Sequence, residues 1–582
     1  MFHLSMTKQL TLHNTYSNQF DFSHDGFWPT IHRKKWWLGR MTKLAFTSLQ
    51  EDFKPNLFPV RSHGSEQAGH ALLQNRFLFD GERVVFNDSM FWSIAARNPI
   101  LQVRLHSFQW LGDLASVGAV EARNMAQNLI RDWLIKFGSG TGLGWAPEVV
   151  GRRLTWLLRN HWIYLTGVDL DFERNFAGSV QHQYSHLKYF MSSIKEPTLY
   201  VEALMGLIHA GFFLRKKPGE MDRHYRRLCK EVENQFPEDG SFLTRNPQEF
   251  LIYGIILNWV IELADENAAE LPAEMERLAT RIGKSLSVIC HYNGKLARFH
   301  GGRDTPSHLV SQTINALTRK DNSTVSKGLG YRKLQLGSTS LIIDVAPPPQ
   351  TKTIQSALST QNTFELTSNF TPLCVNVGFE ENLEKTAEYQ TQFLNSHCNL
   401  QITDTRTVDG NPSQNLNEEE DLRSSFNELK RERGYQILTS QHDAFATDFG
   451  YYHRREIRMD SLGNKVIGSD TLIPNEAGLH NDASYTISFN LHPDVVPEWS
   501  EQSMSLQFVL PQGEVWDFQY EGNGTLVWNE GIYLDTINSK IIPTNLIQIS
   551  GSTKGKRSIQ RWKLKKIEYT GTDQNLLTGD VS

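Results

Sequence analysis

Several groups of side chains in this 582-residue sequence have the types and spacing to work on an acidic ligand. Arg152 and Arg153 stand side by side between Trp145 and Trp156. Adjacent helical residues diverge by about 100°, so at most one of the two guanidiniums faces a cleft. The plainer reading is a surface ion pair. Arg245-Asn246 follows an Asp239-Gly turn and combines a cation with an amide, suited to a carboxylate or to sugar hydroxyls. Arg298, His300 and Arg303 cluster a few residues apart. They form either a basic lip toward an acidic polymer or a solvated loop. Focused local charge outweighs a formal net charge of −5. Further on, His397, His442 and His453 offer groups that titrate near neutrality, against the reading of hydrogen-bonded strand histidines. Trp145 and Trp156 suit either stacking on sugar rings or core packing.

Composition removes other classes of function. Lys and Arg total 59 against 64 Asp and Glu, without the basic stripe of a nucleic-acid binder. Cys229, Cys290, Cys374 and Cys398 are scattered, which argues for buried free thiols over a zinc ribbon or a disulfide framework. The run Gly138-Ser-Gly-Thr-Gly-Leu-Gly144 lacks the preceding strand and the following Gly-Lys-Ser/Thr of a phosphate loop and reads as a helix connection. No apolar run is long enough for a membrane span. The N-terminus lacks a signal-peptide core, so the sequence as given predicts a cytoplasmic protein.

The elements that must position these groups change character at one stretch, Gly328 to Gly378. Before it the apolar spacing is helical, with helices predicted over 98–111, 119–137, 181–194, 198–215, 223–235, 248–263 and 272–292, and Pro147 opening another. After it come short alternating runs: 399–403, 451–459, 485–491, 504–510, 525–528, 546–550 and 559–565. Within the stretch, Tyr331 to Leu336 and Leu341 to Val345 are strand-like around a Gly337 turn, and the prolines from Pro347 stop the second. The dense charges from Asn417 to Arg433 read as a solvated insertion between strands. The expected fold class is therefore α+β and multidomain: an irregular arm over 1–60, an α/α toroid over 61–320 and an antiparallel β-sandwich over 321–582, with a cleft at the seam.

The order of motifs resembles the heparinase II/III family of polysaccharide lyases, in its alphaproteobacterial-type branch. The resemblance rests on Leu105-His-Ser-Phe-Gln-Trp-Leu111, Trp145-x-Pro-x4-Arg152-Arg153-Leu-x-Trp156 and Asp239-Gly-Ser-Phe-Leu-Thr-Arg245-Asn246-Pro247. It continues through Gly294 to Gly301, Asp344-Val-Ala-Pro, Phe364-Glu365, Val375-Asn376-Val-Gly378, Ser396-His397-Cys-Asn, Gln441-His442-Asp443, Tyr452-His453-Arg454-Arg455, Leu491-His492-Pro493-Asp494 and Trp516-Asp-Phe518. It implies a toroid followed by stacked sheets, with substrate between them, and β-elimination on a uronic-acid glycan. That reaction needs a group to neutralise the carboxylate, a base for the C5 proton and an acid for the leaving oxygen.

The residue types and the resemblance together make Arg152, Arg245, Asn246, Arg298, His300 and His453 the candidate substrate contacts, and Tyr200, His397 and His442 the candidates for chemistry. The expected cleft is lined by Arg245, Asn246, His300, His397 and His442. The position of His397 helps to hold a structural metal in related heparinases. Here the matching aspartate is Asn376 and the second histidine is missing, so no zinc and no other cofactor is expected. Other departures bear on activity. A family histidine ahead of Phe364 is absent, Glu249 and Phe250 replace a tyrosine and a histidine, and the carboxylate-binding asparagine falls near Glu196 to Tyr200. Tyr200 is a candidate substitute base, although no spacing compels it.

The reading that follows is a lyase acting on an acidic polysaccharide or oligosaccharide. Its alternative is a carbohydrate-binding or cell-envelope biogenesis protein of the same fold that has lost the reaction, and the family resemblance brings the envelope or periplasm into play as a location. A hydrolase using carboxylates such as Asp239, Glu249, Asp304 or Asp344 is a distant third.

Overall fold

The computed structural model describes residues 64–79, 82–86, 88–93, 98–236, 242–319, 329–347, 349, 361–378, 396–403, 425–475, 482–536 and 540–567. The arm expected over 1–60, the charges at 417–421, Asp239 and Pro348 lie outside them.

The first half is helical: α1 (Glu66–Leu73), α2 (Pro99–Ser107), α3 (Trp110–Val117), α4 (Val120–Phe137), α5 (Pro147–Arg159), α6 (His161–Leu165), α7 (Leu170–Phe190), α8 (Pro197–Phe213), α9 (Pro218–Gln235), α10 (Pro247–Glu266), α11 (Ala273–Val288) and α12 (Ser307–Thr318). A hairpin of β1 (Arg76–Phe79) and β2 (Glu82–Val85) precedes α2. Proline opens α2, α5, α8, α9 and α10, where its missing N–H leaves no intrahelical bond unmade. α8 is buried on nearly every face, as an inner helix of a toroid must be. It crosses α5 so closely that a Cβ on Gly206 would lie 2.3 Å from the Gly151 carbonyl oxygen.

One predicted helix is in fact two. The segment 98–111 breaks at Phe108, which takes a left-handed φ of 62°. Trp110 then donates its indole N–H to the Leu105 carbonyl at 3.0 Å, satisfying an acceptor at the helix end.

The second half is antiparallel. One four-stranded sheet has the order β3-β4-β5-β6, from β3 (Tyr331–Leu336), β4 (Thr339–Asp344), β5 (Phe364–Ser368) and β6 (Thr371–Cys374). β7 (Leu400–Thr403), β12 (Ser484–Asn490), β16 (Thr525–Asp535) and β17 (Lys540–Ser552) form another, ordered β16-β17-β12-β7. The eight-stranded sheet runs β13-β14-β15-β18-β11-β10-β9-β8. Its strands are β8 (Ser425–Glu432), β9 (Tyr435–His442), β10 (Tyr451–Asp460), β11 (Lys465–Pro474), β13 (Val496–Ser500), β14 (Ser505–Val509), β15 (Val515–Glu521) and β18 (Ser558–Ile567).

β8 corrects the sequence reading, because the charges from Glu428 belong to an edge strand rather than to an insertion. Charged side chains blunt a sheet edge against further pairing, and so mimic a loop in sequence. Arg433 and Gly434, both at positive φ, turn β8 into β9.

β4 joins the two halves. It is buried along its whole length. Ile342 packs into the helical core with Tyr331, while Leu341 and Ile343 pack into the β core. The period of two along a strand divides one element between two cores. All four cysteines are buried and free. No described helix is long and apolar enough to cross a membrane.

Candidate functional site

The seam is closed by two polar clusters. In the first, Arg245 sits just before α10 at a left-handed φ of 54°. Its guanidinium donates to the carbonyls of Leu329 (3.3 Å), Gly330 (3.4 Å), Ala346 (3.2 Å) and Pro347, and pairs with Asp344 at the end of β4. The Tyr331 hydroxyl donates to the Arg245 carbonyl at 2.6 Å, beneath the guanidinium. His300 Nε2 lies 2.7 Å from the other oxygen of Asp344. Burial alone would raise the Asp344 carboxyl, but Arg245 and His300 hold it below its ordinary value. Burial and the Arg245 charge lower His300 in spite of Asp344.

In the second cluster, Arg298 donates to the carbonyls of Val377 (2.7 Å) and Leu534, and lies 4.2 Å over the Tyr533 ring. It faces Asp304 at 3.7 Å. Glu365 accepts the backbone N–H groups of Arg298 (3.1 Å) and Asn376 (3.0 Å) and meets His291 Nε2 at 3.3 Å. His397 Nδ1 lies 3.4 Å from Asn376 Oδ1. Burial, then His300 and Arg298, push His397 down to about 4. Among the described residues no three His, Cys, Asp or Glu side chains converge as a metal-ligand set.

The fold therefore gathers Arg245, Arg298, His300 and His397 and disperses the other sequence candidates. Asn246 caps α10, its Oδ1 accepting the Gln248 N–H at 2.9 Å. Arg152 pairs with buried Glu202 at 2.7 Å in the helical layer. Tyr200, on α8, is buried with no hydrogen-bond partner for its hydroxyl, and Arg227 lies 4.8 Å over its ring. His442 and His453 stand in a separate network, 3.0 Å apart, with His453 Nε2 2.8 Å from Asp470 Oδ1. Trp145 and Trp156 are core residues, stacked on Trp133 and set edge-on to Trp259.

The positions that depart from the family pattern are also placed. Glu196 caps α8, its carboxylate accepting the N–H groups of Thr198 (3.0 Å) and Leu199 (2.6 Å). Glu249 accepts the Thr244 hydroxyl at 2.7 Å. Phe250 is buried against Phe236 and Phe242.

Asp344, Glu365, Asp304 and Tyr533 organise the seam; the sequence offered Asp344 and Glu365 as motif residues and Asp304 and Asp344 as candidate acids, but gave none of the four this structural part. One signal was present for Asp344: a carboxylate directly after an apolar run that spans a buried strand must find a partner.

Residues 318–563 match the family described as heparinase II/III-like, C-terminal. FtsZ-localized protein C of Caulobacter vibrioides (strain NA1000 / CB15N) is 23% identical over 528 residues, which cover 86% of this chain and 88% of that protein. Among solved structures, heparinase III aligns with a TM-score of 0.64 at 13% identity, over 91% of this chain and 89% of that one. A mutant of the heparan sulfate lyase HepC from Pedobacter heparinus aligns with a TM-score of 0.61 at 13% identity, over 91% and 87%. At these identities the structural likeness speaks for the fold alone.

Proposed function

Since this chain is a heparinase II/III family protein, we infer that it uses the family's scaffold to bind glycan at the cell envelope, without eliminating uronates. One observation carries this reading: the Arg245 guanidinium already meets five acceptors of the seam, so none of its N–H groups is left to clamp a substrate carboxylate. Releasing it would strip Asp344 of a buried partner. Two placements support the same reading. Where the resemblance expects an amide near Tyr200, the Glu196 carboxylate would repel a uronate. Where it expects a histidine, the buried Phe250 phenyl moves no proton. Elimination without a proton-transfer partner forgoes about 10²–10⁴-fold in rate. Each missing electrostatic donor removes about 10²–10³-fold more. The curated relative is named for localization with FtsZ, and localization with FtsZ is the corresponding expectation for this chain.

A second reading, a lyase working through Tyr200, draws on the unpartnered hydroxyl of that residue. The test is incubation of the purified full chain with uronate polymers such as heparan sulfate, alginate, polygalacturonate and hyaluronan, watching for the ultraviolet absorbance of an unsaturated end. We expect none. Absorbance that grows with the protein and disappears in Tyr200→Phe overturns the binding reading in favour of the lyase.

A further inference from the structure

β16 is an edge strand with two unlike halves. Its second half is tied to the seam. The Ile532 and Leu534 N–H groups donate to Ser396 Oγ (3.2 Å) and the Val377 carbonyl (3.0 Å), and the Tyr533 hydroxyl donates to Asp304. Its first half, Thr525 to Glu530, is exposed at every residue, on both faces of the strand. Trp528 stands there with 51% of its surface exposed. Its indole N–H donates to Asn545 Oδ1 on β17 at 3.0 Å, which fixes the ring. Beside it lies an open groove of about 670 Å³ lined by Trp528, Asn529, Glu530, Pro543, Thr544 and Asn545.

We propose that this groove binds a neutral glycan, with a sugar ring stacked on Trp528. A pyranose presents C–H groups on its faces and hydroxyls at its rim. The groove offers the matching pair, an apolar ring fixed in place and polar groups around it. Asn545 engages its carbonyl oxygen with the indole, which leaves its NH2 for a hydroxyl oxygen. Glu530, two residues on from Trp528 and so on the same face of β16, adds a carboxylate that accepts a second hydroxyl. The charge of the lining selects the class of sugar. Among the described residues its one ionisable lining group is Glu530, with no Lys or Arg beside it, so a uronate or sulfated chain is repelled. The groove spans β16 and β17, so its occupant lies across the sheet rather than along the free edge as an added strand would.

The proposal rests on the reading of this protein as a glycan binder and adds the face and the sugar class. The full chain is titrated calorimetrically with cellohexaose, maltohexaose and chitohexaose, and with hexagalacturonate for contrast. Trp528→Ala is compared with Trp499→Ala, which removes another exposed indole, on β13. Circular dichroism checks that both variants are folded. We expect at least one neutral hexasaccharide to bind, Trp528→Ala to weaken it about tenfold or more, Trp499→Ala to leave it unchanged, and hexagalacturonate to bind less well. No binding of any neutral hexasaccharide, or equal binding by Trp528→Ala, overturns the proposal. So does a dimer that Trp528→Ala dissociates in sedimentation while no sugar binds, since the face is then a self-interface. An unsaturated uronate product would overturn the proposed function and leave this result standing.

Discussion

The seam and the eight-stranded sheet each bury an arginine, an aspartate and a histidine in contact, and they use the same chemistry for different ends. In the sheet, Arg455 and Asp470 face each other in the β10–β11 register, with Arg455 Nε 2.6 Å from Asp470 Oδ1. His453 lies two residues earlier on the same face of β10, and the Trp562 indole donates to the second oxygen of Asp470 at 3.0 Å. The pairing that builds the sheet thereby builds the triad. At the seam, Arg245 and His300 come from loops of the helical half and Asp344 from β4. No backbone ladder brings them together, and what they hold is one half against the other. The first triad fixes a register and the second fixes a docking.

The largest effect is expected in the sheet. Asp470→Asn leaves Arg455 fully buried without a counter-charge and should cost about 3–5 kcal/mol. Chemical denaturation measures it, and a loss below about 1 kcal/mol would break the comparison, because an exposed pair is worth that little. At the seam, Asp344→Asn should cost about 3 kcal/mol, at the lower end of the same range, because Arg245 keeps four carbonyl acceptors where Arg455 keeps two. Its signature differs. Calorimetry should split one transition into two as the halves melt separately, whereas Asp470→Asn should shift the β transition alone.

The smallest effect is a pH dependence that the halves share. Burial, then Arg153, pushes His106 down to about 4, and His397 stands at about 4 as well. Both values lie below the unfolded histidine value of about 6.5. Each group therefore contributes stability that is present above about pH 6.5 and lost as pH falls toward 4. His106 accepts the Trp133 indole N–H on Nδ1 at 3.0 Å, a bond that protonation destroys. The melting temperature should begin to fall below about pH 6.5, and His397→Asn should flatten its share of the slope. Asp344 and Asp470, both held below the ordinary carboxyl value, add a further loss below about pH 4. An unchanged acid slope in His397→Asn would show that its ring meets the same environment folded and unfolded.

The helix-to-strand change across the seam was legible in the sequence because periodicity is local. The break at Phe108 was not, since nothing in its neighbours announces a left-handed phenylalanine. β8 was hidden by the charges that protect an edge. Of the candidate site, the residue types and the order of motifs were readable. Which of the remaining donors are engaged was not. Arg153 and Arg455 are both fully buried and both donate to backbone carbonyls, yet Arg153 adds the neutral Gln183 amide and Arg455 adds the Asp470 carboxylate.

The sequence by itself determined where helices give way to strands, that the charges nearly balance, and that its motifs resemble in their order those of the heparinase II/III family. Only the tertiary structure decided that Arg245 faces Asp344, 99 residues away, rather than a solvent-filled cleft. The physical reason is range. Helical and strand periods are set by neighbours within a few residues, whereas a guanidinium becomes a substrate clamp or a structural tie according to what desolvates it, and those groups arrive from distant parts of the chain.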